Sequence, residues 1–309
     1  MSGGPKQINW LSHDLKSRFG GRVVKVALDS GGTCPNRDGS LGAGGCSWCD
    51  AGGSGPDGPD RRLPWPEALA LGARKAMANG CAGVIAYFQA YTSTYVEPAA
   101  LAEMAERALS VAGVVGLAFG ARPDCLNGEM VENIASLSAK KFVWAEVGMQ
   151  TMHDETLAAM NRGHSHAATA KACEALRERK IRFVLHLIAG LPGETNEMME
   201  ASFAEASRLL PWGIKLHPLH VVKGSMLEAL HAKGEIRLLE LDGYAKLAAD
   251  MLELMAPSAT IHRLTGERPE GILVAPDWCA NKRGVIGAIE REMSLRGGRQ
   301  GLRWKEGTA

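Results

Sequence analysis

The sequence predicts an α/β protein built as a partial (β/α)6 barrel with a C-terminal α/β extension. Six short apolar runs alternate with helical stretches at spacings of roughly 30 residues along the first two thirds of the chain. This alternation indicates parallel strands joined by right-handed helical crossovers. A closed barrel of this type has about eight units, so six units favour an open one. Glycine and polar residues follow most of the runs, where the loops of such folds build the functional site.

Each predicted strand is a short run rich in valine, isoleucine, leucine and phenylalanine. The six strands are predicted at 23–28, 83–88, 114–119, 142–147, 182–188 and 214–219. The helices between them are predicted at 66–79, 99–111, 129–138, 167–179 and 197–210. The first of these helices has a proline near its start and a glycine just past its end, as helices commonly do.

Beyond residue 220 the alternation weakens. A helix is predicted at 238–255, followed by a short strand pair at 260–264 and 271–274 and then by a helical, basic segment. No long linker and no repeat of fixed period interrupts the sequence. The simplest division of the chain has three parts: an N-terminal segment at 1–22, a core barrel at 23–222 and a C-terminal extension at 223–309.

The charge pattern excludes a strong overall field, because the formal net charge is only +1. The segment at 282–309 is locally basic, and it can either attract a polyanion such as RNA or form an ordinary solvated surface. No apolar run reaches the ~18–20 residues of a membrane span. Residues 1–10 lack the layout of a signal peptide. We therefore expect a cytoplasmic protein with no membrane contact.

The cysteines favour a metal site over a disulfide framework, because there are seven of them and three are clustered. Cys34, Cys46 and Cys49 lie in a glycine-rich stretch that follows the first predicted strand. Thiolates bind iron–sulfur cubanes, and three thiolates leave one of the four irons open to a ligand from outside the protein. The pattern therefore predicts a [4Fe-4S] cluster.

Two alternatives explain less of this pattern. Zinc usually takes four ligands, often from two C-x-x-C pairs, and the sequence has no second pair. His13 or His153 could complete a zinc site, but neither has a telling spacing. A redox C-x-x-C pair would leave Cys34 without a role. The other thiols, at 81, 125, 173 and 279, are predicted core residues, although Cys125 and Cys279 follow Pro-Asp turns and could approach the site.

Motifs along nearly the whole chain carry a resemblance to a known family. In chain order they are TCPNRDG (33–39), GGCSWC (44–49), YFQAYTSTY (87–95), EVGMQT (146–151), NRGH (161–164), HLIAGLPGET (186–195), KLHPLHVVKG (215–224), RLTG (263–266) and APDWC (275–279). The sequence resembles the radical S-adenosylmethionine (SAM) superfamily, in the branch related to the Elongator catalytic subunit and, within it, the bacterial YhcC/YtqA family. Gly32 and Ser93 depart from the family pattern, which has an aromatic residue and an asparagine there.

The resemblance implies a partial (β/α)6 radical SAM barrel that holds a [4Fe-4S] cluster and SAM. In this superfamily the amino and carboxylate groups of SAM chelate the open iron, and SAM is cleaved to a 5′-deoxyadenosyl radical that abstracts a substrate hydrogen. No segment resembles the acetyltransferase domain of the Elongator subunit, so acetyl-CoA chemistry is not implied. The residues that the resemblance places around SAM are Trp48, Gln89, Glu146, Gln150, His186, Gly190 and Gly193.

Ordinary structural roles stay open for these residues. Trp48 could be a core aromatic, Gln89 a polar turn residue and His186 a satisfied core histidine. Glu146 follows an apolar run, where a carboxylate is costly to bury without a partner. Either the ribose of SAM or a buried salt bridge could provide that partner.

Charged residues at or after the ends of the third, fourth and sixth strands are candidates for contact with the substrate. They are Arg122, Asp124, Arg162, Lys215 and His217, with His220 close by. Structural ion pairs would explain the same residues equally well.

Three functions are compatible with the sequence. The resemblance implies a radical SAM enzyme that remodels the side chain of a tRNA wobble uridine, converting a carboxymethylaminomethyl group to an aminomethyl group. It also implies a partner that donates electrons, such as flavodoxin or ferredoxin. A radical SAM enzyme with a small-molecule or protein substrate is the second possibility. The third is a non-catalytic iron–sulfur or zinc scaffold, which would have no affinity for SAM.

Overall fold

The computed structural model describes residues 7–53, 55, 63–266, 268–269 and 271–305. Its strands are β1 (Val23–Leu28), β2 (Gly83–Phe88), β3 (Val114–Ala121), β4 (Phe142–Gln150), β5 (Arg182–Ala189), β6 (Gly213–Pro218), β7 (Val221–Val222), β8 (Thr260–Arg263) and β9 (Leu273–Ala275). Its helices are α1 (Leu11–Phe19), α2 (Trp65–Ala78), α3 (Pro98–Leu109), α4 (Gly128–Lys140), α5 (Asp154–Ala159), α6 (His166–Glu178), α7 (Asn196–Arg208), α8 (Met226–Ala232), α9 (Leu241–Leu254) and α10 (Lys282–Leu295).

The main sheet is an open half-barrel of seven parallel strands in the order β1-β2-β3-β4-β5-β6-β8. The six predicted β/α units are confirmed as its first six strands. The predicted pairing of the segments at 260–264 and 271–274 is wrong. The first segment forms β8, which extends the main sheet beside β6, whereas β9 pairs antiparallel with β7. The extension predicted to begin at residue 223 thus supplies the seventh strand of the barrel.

The two faces of the sheet are packed differently, because strand residues alternate between them. The outer face packs against the helices in a large apolar core that includes Phe88, Phe119 and Leu185. The inner face is filled at its lower end by aromatic residues of β4, among them Trp144, and by α1, a helix that the sequence pattern did not predict. This plug closes the amino-terminal end of the strands, so the interior opens only towards their carboxyl ends.

The basic C-terminal segment is partly used in ion pairs within the protein. Arg296 contacts Asp250 at 2.6 Å, and Arg303 lies 3.6 Å from Glu200. These contacts bind the end of the chain to α9 and α7, and they favour a structural role for part of that segment. Residues 1–6 and 306–309 of the predicted terminal regions lie outside the described residues. No described helix has the length and apolar character needed to span a membrane.

Candidate active site

A cavity of about 200 Å³ opens at the carboxyl ends of the barrel strands. It lies above the aromatic plug and below the cysteine loop, which we define as residues 34–49. Twelve of the residues predicted to bind metal, SAM or substrate line it: Cys34, Cys46, Trp48, Cys49, Gln89, Arg122, Glu146, Gln150, Arg162, His186, Lys215 and His217.

Three predicted site residues do not line this cavity. Asp124 instead accepts two hydrogen bonds from the Arg122 guanidinium, at 3.0 and 2.8 Å, and so orients that side chain. Gly190 and Gly193 lie in the turn after β5, both with positive φ. A side chain at Gly190 would clash with Leu239, so its lack of a side chain is explained by packing.

The two additional thiols singled out by the sequence also lie away from the cavity lining. Cys125 lines a neighbouring cleft beside Asp124, and Cys279 is completely buried in the C-terminal part of the chain. Burial raises the pKa of each thiol to about 12. Both are therefore neutral core thiols at ordinary pH, as most cysteines outside metal sites are.

The cysteine loop is held by hydrogen bonds within its backbone and by one from the Arg37 side chain. The amide of Gly45 bonds to the carbonyl of Asn36 at 2.8 Å, and that of Cys49 bonds to the carbonyl of Cys46 at 2.9 Å. The Arg37 guanidinium donates to the carbonyl of Cys49 at 3.2 Å. Gly45 has φ +82°, and a Cβ there would lie 2.6 Å from Arg37 Nε, so glycine is required on both counts.

The segment after α5 clamps the cysteine loop from the other side. Asn161 Nδ2 donates to the carbonyl of Gly45 at 2.8 Å, and Arg162 Nη1 lies 3.4 Å from Cys46 Sγ. Arg162 Nη2 also donates to the carbonyl of Gly148 at 2.9 Å. A Cβ at Gly148 would lie 2.5 Å from that nitrogen. The glycine in β4 therefore makes room for the guanidinium that reaches the thiol.

The thiols and their surroundings fit a bound iron–sulfur cluster. None of the three forms a disulfide with a described residue, and all three line one cavity. Donors are directed at the sulfur of Cys46, from Arg162 and, at 3.7 Å, from Asn36 Nδ2. Burial opposes the charge of Arg37, but attraction to the Cys49 thiolate outweighs it and raises the pKa of that guanidinium. Cations and hydrogen-bond donors around sulfur stabilise thiolate-bound clusters and tune their potential.

A single metal ion fits less well than a cluster. Among the described residues, no group of three or more His, Cys, Asp or Glu side chains is arranged to hold a metal ion. A cubane spreads its thiolates over separate irons, so its ligands stand farther apart than those around one zinc ion. Among the described residues, the buried Nε of Arg162 and Oδ1 of Asn36 also have no hydrogen-bond partner.

Below the cavity, a layer of buried charge surrounds Glu146. Lys215 Nζ forms a short ion pair with Oε2, and His186 Nε2 donates to the same oxygen at 2.9 Å. Trp144 Nε1 donates to Oε1 at 2.9 Å, and Lys25 lies 3.5 Å from that oxygen. The buried salt bridge, one of the two partners that the sequence left open, is therefore present, and contact of Glu146 with SAM stays a prediction.

This layer fixes the protonation states of its members. Burial alone would raise the pKa of Glu146, but attraction to Lys215 and Lys25 and the His186 hydrogen bond hold that pKa well below its usual range. Burial and repulsion from Lys215 lower the pKa of His186 to about 4. Burial also lowers the pKa of Lys215 well below its usual value, although attraction to the Glu146 carboxylate opposes this. Because the two groups are in direct contact and Glu146 stays ionised, we expect an ion pair and a neutral imidazole at neutral pH.

We expect the low pKa of His186 to make the protein less stable in acid. The unfolded chain protonates this histidine near pH 6.5, whereas the folded protein resists protonation until about pH 4, so stability falls as pH drops through that window. His186→Gln, which can still donate to Glu146, should reduce the loss of unfolding free energy between pH 7 and pH 5 by about 2 kcal/mol. Urea unfolding at both pH values measures this loss of unfolding free energy.

The control for this prediction is His13→Gln, since His13 is exposed on α1. Its pH dependence should match that of the unaltered protein. If His186→Gln loses as much unfolding free energy between pH 7 and pH 5 as the His13→Gln control does, the assigned protonation state of His186 is contradicted.

Several residues of the cavity were not singled out from the sequence. They are Arg37, Tyr87, Tyr91, Arg263 and Arg268. Lys25 was also missed, although it is a lone charge in an apolar strand, the same signal that singled out Glu146. Arg263 gave no such signal, because it lies on a short strand whose place in the main sheet was not predicted.

Comparisons with known proteins agree on the fold and the family. The sequence matches the Radical SAM superfamily over residues 32–206 and the radical SAM C-terminal domain over residues 211–294. It is 37% identical to YtqA of Bacillus subtilis, over 96% of this chain and 92% of that protein. It is 36% identical to YhcC of Escherichia coli K12, over 94% of each chain.

More distant matches include proteins named for a role in tRNA modification. The tRNA uridine(34) acetyltransferase of Methanocaldococcus infernus is 29% identical over 43% of this chain and 26% of that protein. The structure of Elp3 from the same archaeon, lacking residues 1–46, superposes with a TM-score of 0.68 at 18% identity. That superposition covers 90% of this chain and 64% of Elp3, and it shows a shared fold.

Proposed function

Since the chain belongs to the radical SAM superfamily, we propose that Cys34, Cys46 and Cys49 hold three irons of a [4Fe-4S] cluster. The family uses this cluster together with SAM, and the protein is a radical SAM enzyme. The observation that carries the assignment is the convergence of three cysteine side chains on one cavity, with Arg162 and Asn36 donating towards the sulfur of Cys46. When bound, the cluster and SAM supply a 5′-deoxyadenosyl radical.

The protein's own residues orient the cofactor and exclude water. We assign Gln89 and Gln150, at the ends of β2 and β4, to the polar groups of SAM, and Trp48 to its adenine. Gln150 has φ +68°, a conformation that costs a non-glycine residue about 1–2 kcal/mol. Such strain is typical of residues whose side chains are held for a function.

For the substrate we propose a tRNA whose wobble uridine has a carboxymethylaminomethyl side chain, which becomes an aminomethyl group. Relatives named as tRNA uridine(34) acetyltransferases support this choice, as does the similarity to the YhcC/YtqA family. The hydrogen to be removed lies on the methylene between the nitrogen and the carboxylate. The nitrogen lone pair stabilises the resulting carbon radical. Loss of one electron from this radical to an electron carrier would give an imine, whose hydrolysis breaks the C–N bond, releases glyoxylate and leaves the aminomethyl group. An electron donor such as flavodoxin or ferredoxin would complete the system.

Comparison of tRNA nucleosides by mass spectrometry tests the substrate assignment. In cells that lack the gene, we expect the carboxymethylaminomethyl nucleoside to accumulate and the aminomethyl nucleoside to disappear. The unaltered gene should restore the profile, whereas the Cys46→Ala variant should not, because the cluster would lose a ligand. Identical nucleoside profiles with and without the gene would rule out this substrate and leave the radical SAM assignment standing.

A further inference from the structure

The wall of the cavity formed by β6 and β8 has cationic character that the protein does not neutralise. Arg263 lines the cavity and is half-buried. Its guanidinium makes no hydrogen bond or ion pair with any residue in the described part of the chain. A guanidinium withdrawn from water without a partner is costly, so an occupant of opposite charge is expected.

The neighbouring groups cannot neutralise Arg263. Glu146 is the one carboxylate among the described residues that line the cavity, and its two oxygens are occupied by Lys215, His186 and Trp144. Arg263 is the register partner of Lys215 in the β6–β8 ladder and lines the same cavity as Tyr87, His217 and His220. The wall therefore has more positive than negative charge.

The two histidines beside Arg263 differ in whether a ring N–H is left to bind a ligand. His220 Nδ1 lies 3.0 Å from the carbonyl of Pro218 and donates its proton there. His217 lines the cavity and has a ring contact with His186, at 6.2 Å between centroids, but its ring nitrogens make no hydrogen bond in the described residues. Burial and repulsion from Arg263 lower the pKa of His217 well below its usual value. A neutral imidazole at this place has one N–H to donate.

We propose that Arg263, assisted by the N–H of His217, forms a subsite that binds the carboxylate of the substrate side chain. This rests on the proposed function, in which the substrate ends in a carboxymethylaminomethyl group. The planar fork of a guanidinium matches a carboxylate with two parallel hydrogen bonds. Anchoring that carboxylate holds the adjacent methylene, from which hydrogen is abstracted, inside the cavity that the three thiols also line.

SAM also has a carboxylate, and the position of Arg263 favours the substrate over the cofactor. Arg263 lies on β8, at the opposite edge of the sheet from β1, which leads into the cysteine loop. The methionine carboxylate of SAM is expected at the cluster, which the proposed ligands place in that loop. The experiment below separates the two by measuring SAM binding directly.

Equilibrium binding of two free nucleosides to the reconstituted holoenzyme with SAM tests the subsite. One probe is 5-carboxymethylaminomethyluridine, and the other is 5-methylaminomethyluridine, which lacks the carboxylate. Neither has a phosphate, so a preference reports the carboxylate alone. We expect the unaltered enzyme to prefer the first probe about tenfold, the size expected of one charge-assisted hydrogen bond. Arg263→Gln should lose this preference, and Arg263→Lys should retain part of it.

The matched control is Arg299→Gln, because Arg299 is exposed near the C-terminus. It should keep the tenfold preference. The affinity for SAM should be unchanged in both glutamine variants. The subsite would be overturned if Arg263→Gln kept the preference or if the unaltered enzyme showed none. A loss of SAM affinity in Arg263→Gln would also overturn it.

Conversion of the modified tRNA by the unaltered enzyme is measured in a separate assay. Conversion without a carboxylate preference would leave the proposed function standing and remove the subsite. A preference that depends on Arg263, without any conversion of tRNA, would support the subsite and remove the proposed substrate.

Discussion

Replacing Cys34, Cys46 or Cys49 by alanine should abolish the iron–sulfur cluster and reduce reductive SAM cleavage to background. Each thiolate would bind one iron of the cubane, so losing one leaves two irons without a protein ligand and exposes the cluster to breakdown. The measurement is anaerobic reconstitution followed by iron and sulfide analysis, absorption and EPR spectroscopy, and assay of 5′-deoxyadenosine. Loss of the cluster signature is expected in each single variant.

Cys173→Ala provides the matched control. Cys173 is a buried thiol on α6, and burial raises its pKa to about 12, so it is neutral and unsuited to binding iron. Its replacement should cost about 1 kcal/mol of stability and leave the cluster intact. An unchanged cluster spectrum in a variant that lacks all three proposed ligands would contradict the assignment, and so would loss of the spectrum in a correctly folded Cys173→Ala protein.

The parts of the site that could be predicted from the sequence are local along the chain. The three thiols lie within one loop, so their spacing alone indicated a cluster. The six strands have apolar runs that are visible without knowing their neighbours. Gln89 and Gln150 were predicted from the family resemblance, and Arg122 was predicted because it follows such a run; the strand ends of parallel α/β folds converge on one edge. All three line the cavity.

The parts that could not be predicted depend on which strands become neighbours. The segments at 260–264 and 271–274 are close in sequence, which favours a hairpin, but β8 pairs with β6 across the intervening helices α8 and α9. Arg263 consequently enters the cavity beside Lys215, its partner in the β6–β8 ladder. Asp124 was assigned to the substrate because nothing in the sequence shows that its carboxylate faces Arg122, two residues before it.

Glu146 shows most clearly how far the sequence can predict the site. Its burial was predicted, but its partners were not. Trp144 is on the same strand, but Lys25, His186 and Lys215 come from β1, β5 and β6. Period-two alternation places each of these side chains on one face of a strand. It does not say which residues share a level of the barrel, since that depends on the register between strands. The structure supplies this register, and the contacts it reveals around Glu146 predict a large effect on stability.

We expect Glu146→Gln to destabilise the protein by about 3–5 kcal/mol, because it leaves Lys215 as a buried charge without its counterion. Lys215→Met should cost a similar amount, since it leaves the buried Glu146 carboxylate short of its main partner. The double variant should cost clearly less than the sum of the two, as expected for residues in direct contact. Urea unfolding of the three variants and the unaltered protein measures the coupling.

The control is Glu103→Gln on α3, where Glu103 and Arg107 form an exposed pair at 3.9 Å. An exposed pair contributes at most about 1 kcal/mol, so this change from glutamate to glutamine should have little effect. If Glu146→Gln unfolds at the same urea concentration as Glu103→Gln, the buried layer is not the stabilising element that its geometry indicates. SAM affinity measured on the same Glu146→Gln protein then decides whether the carboxylate also serves the cofactor, because a purely structural carboxylate would leave that affinity unchanged in the folded fraction.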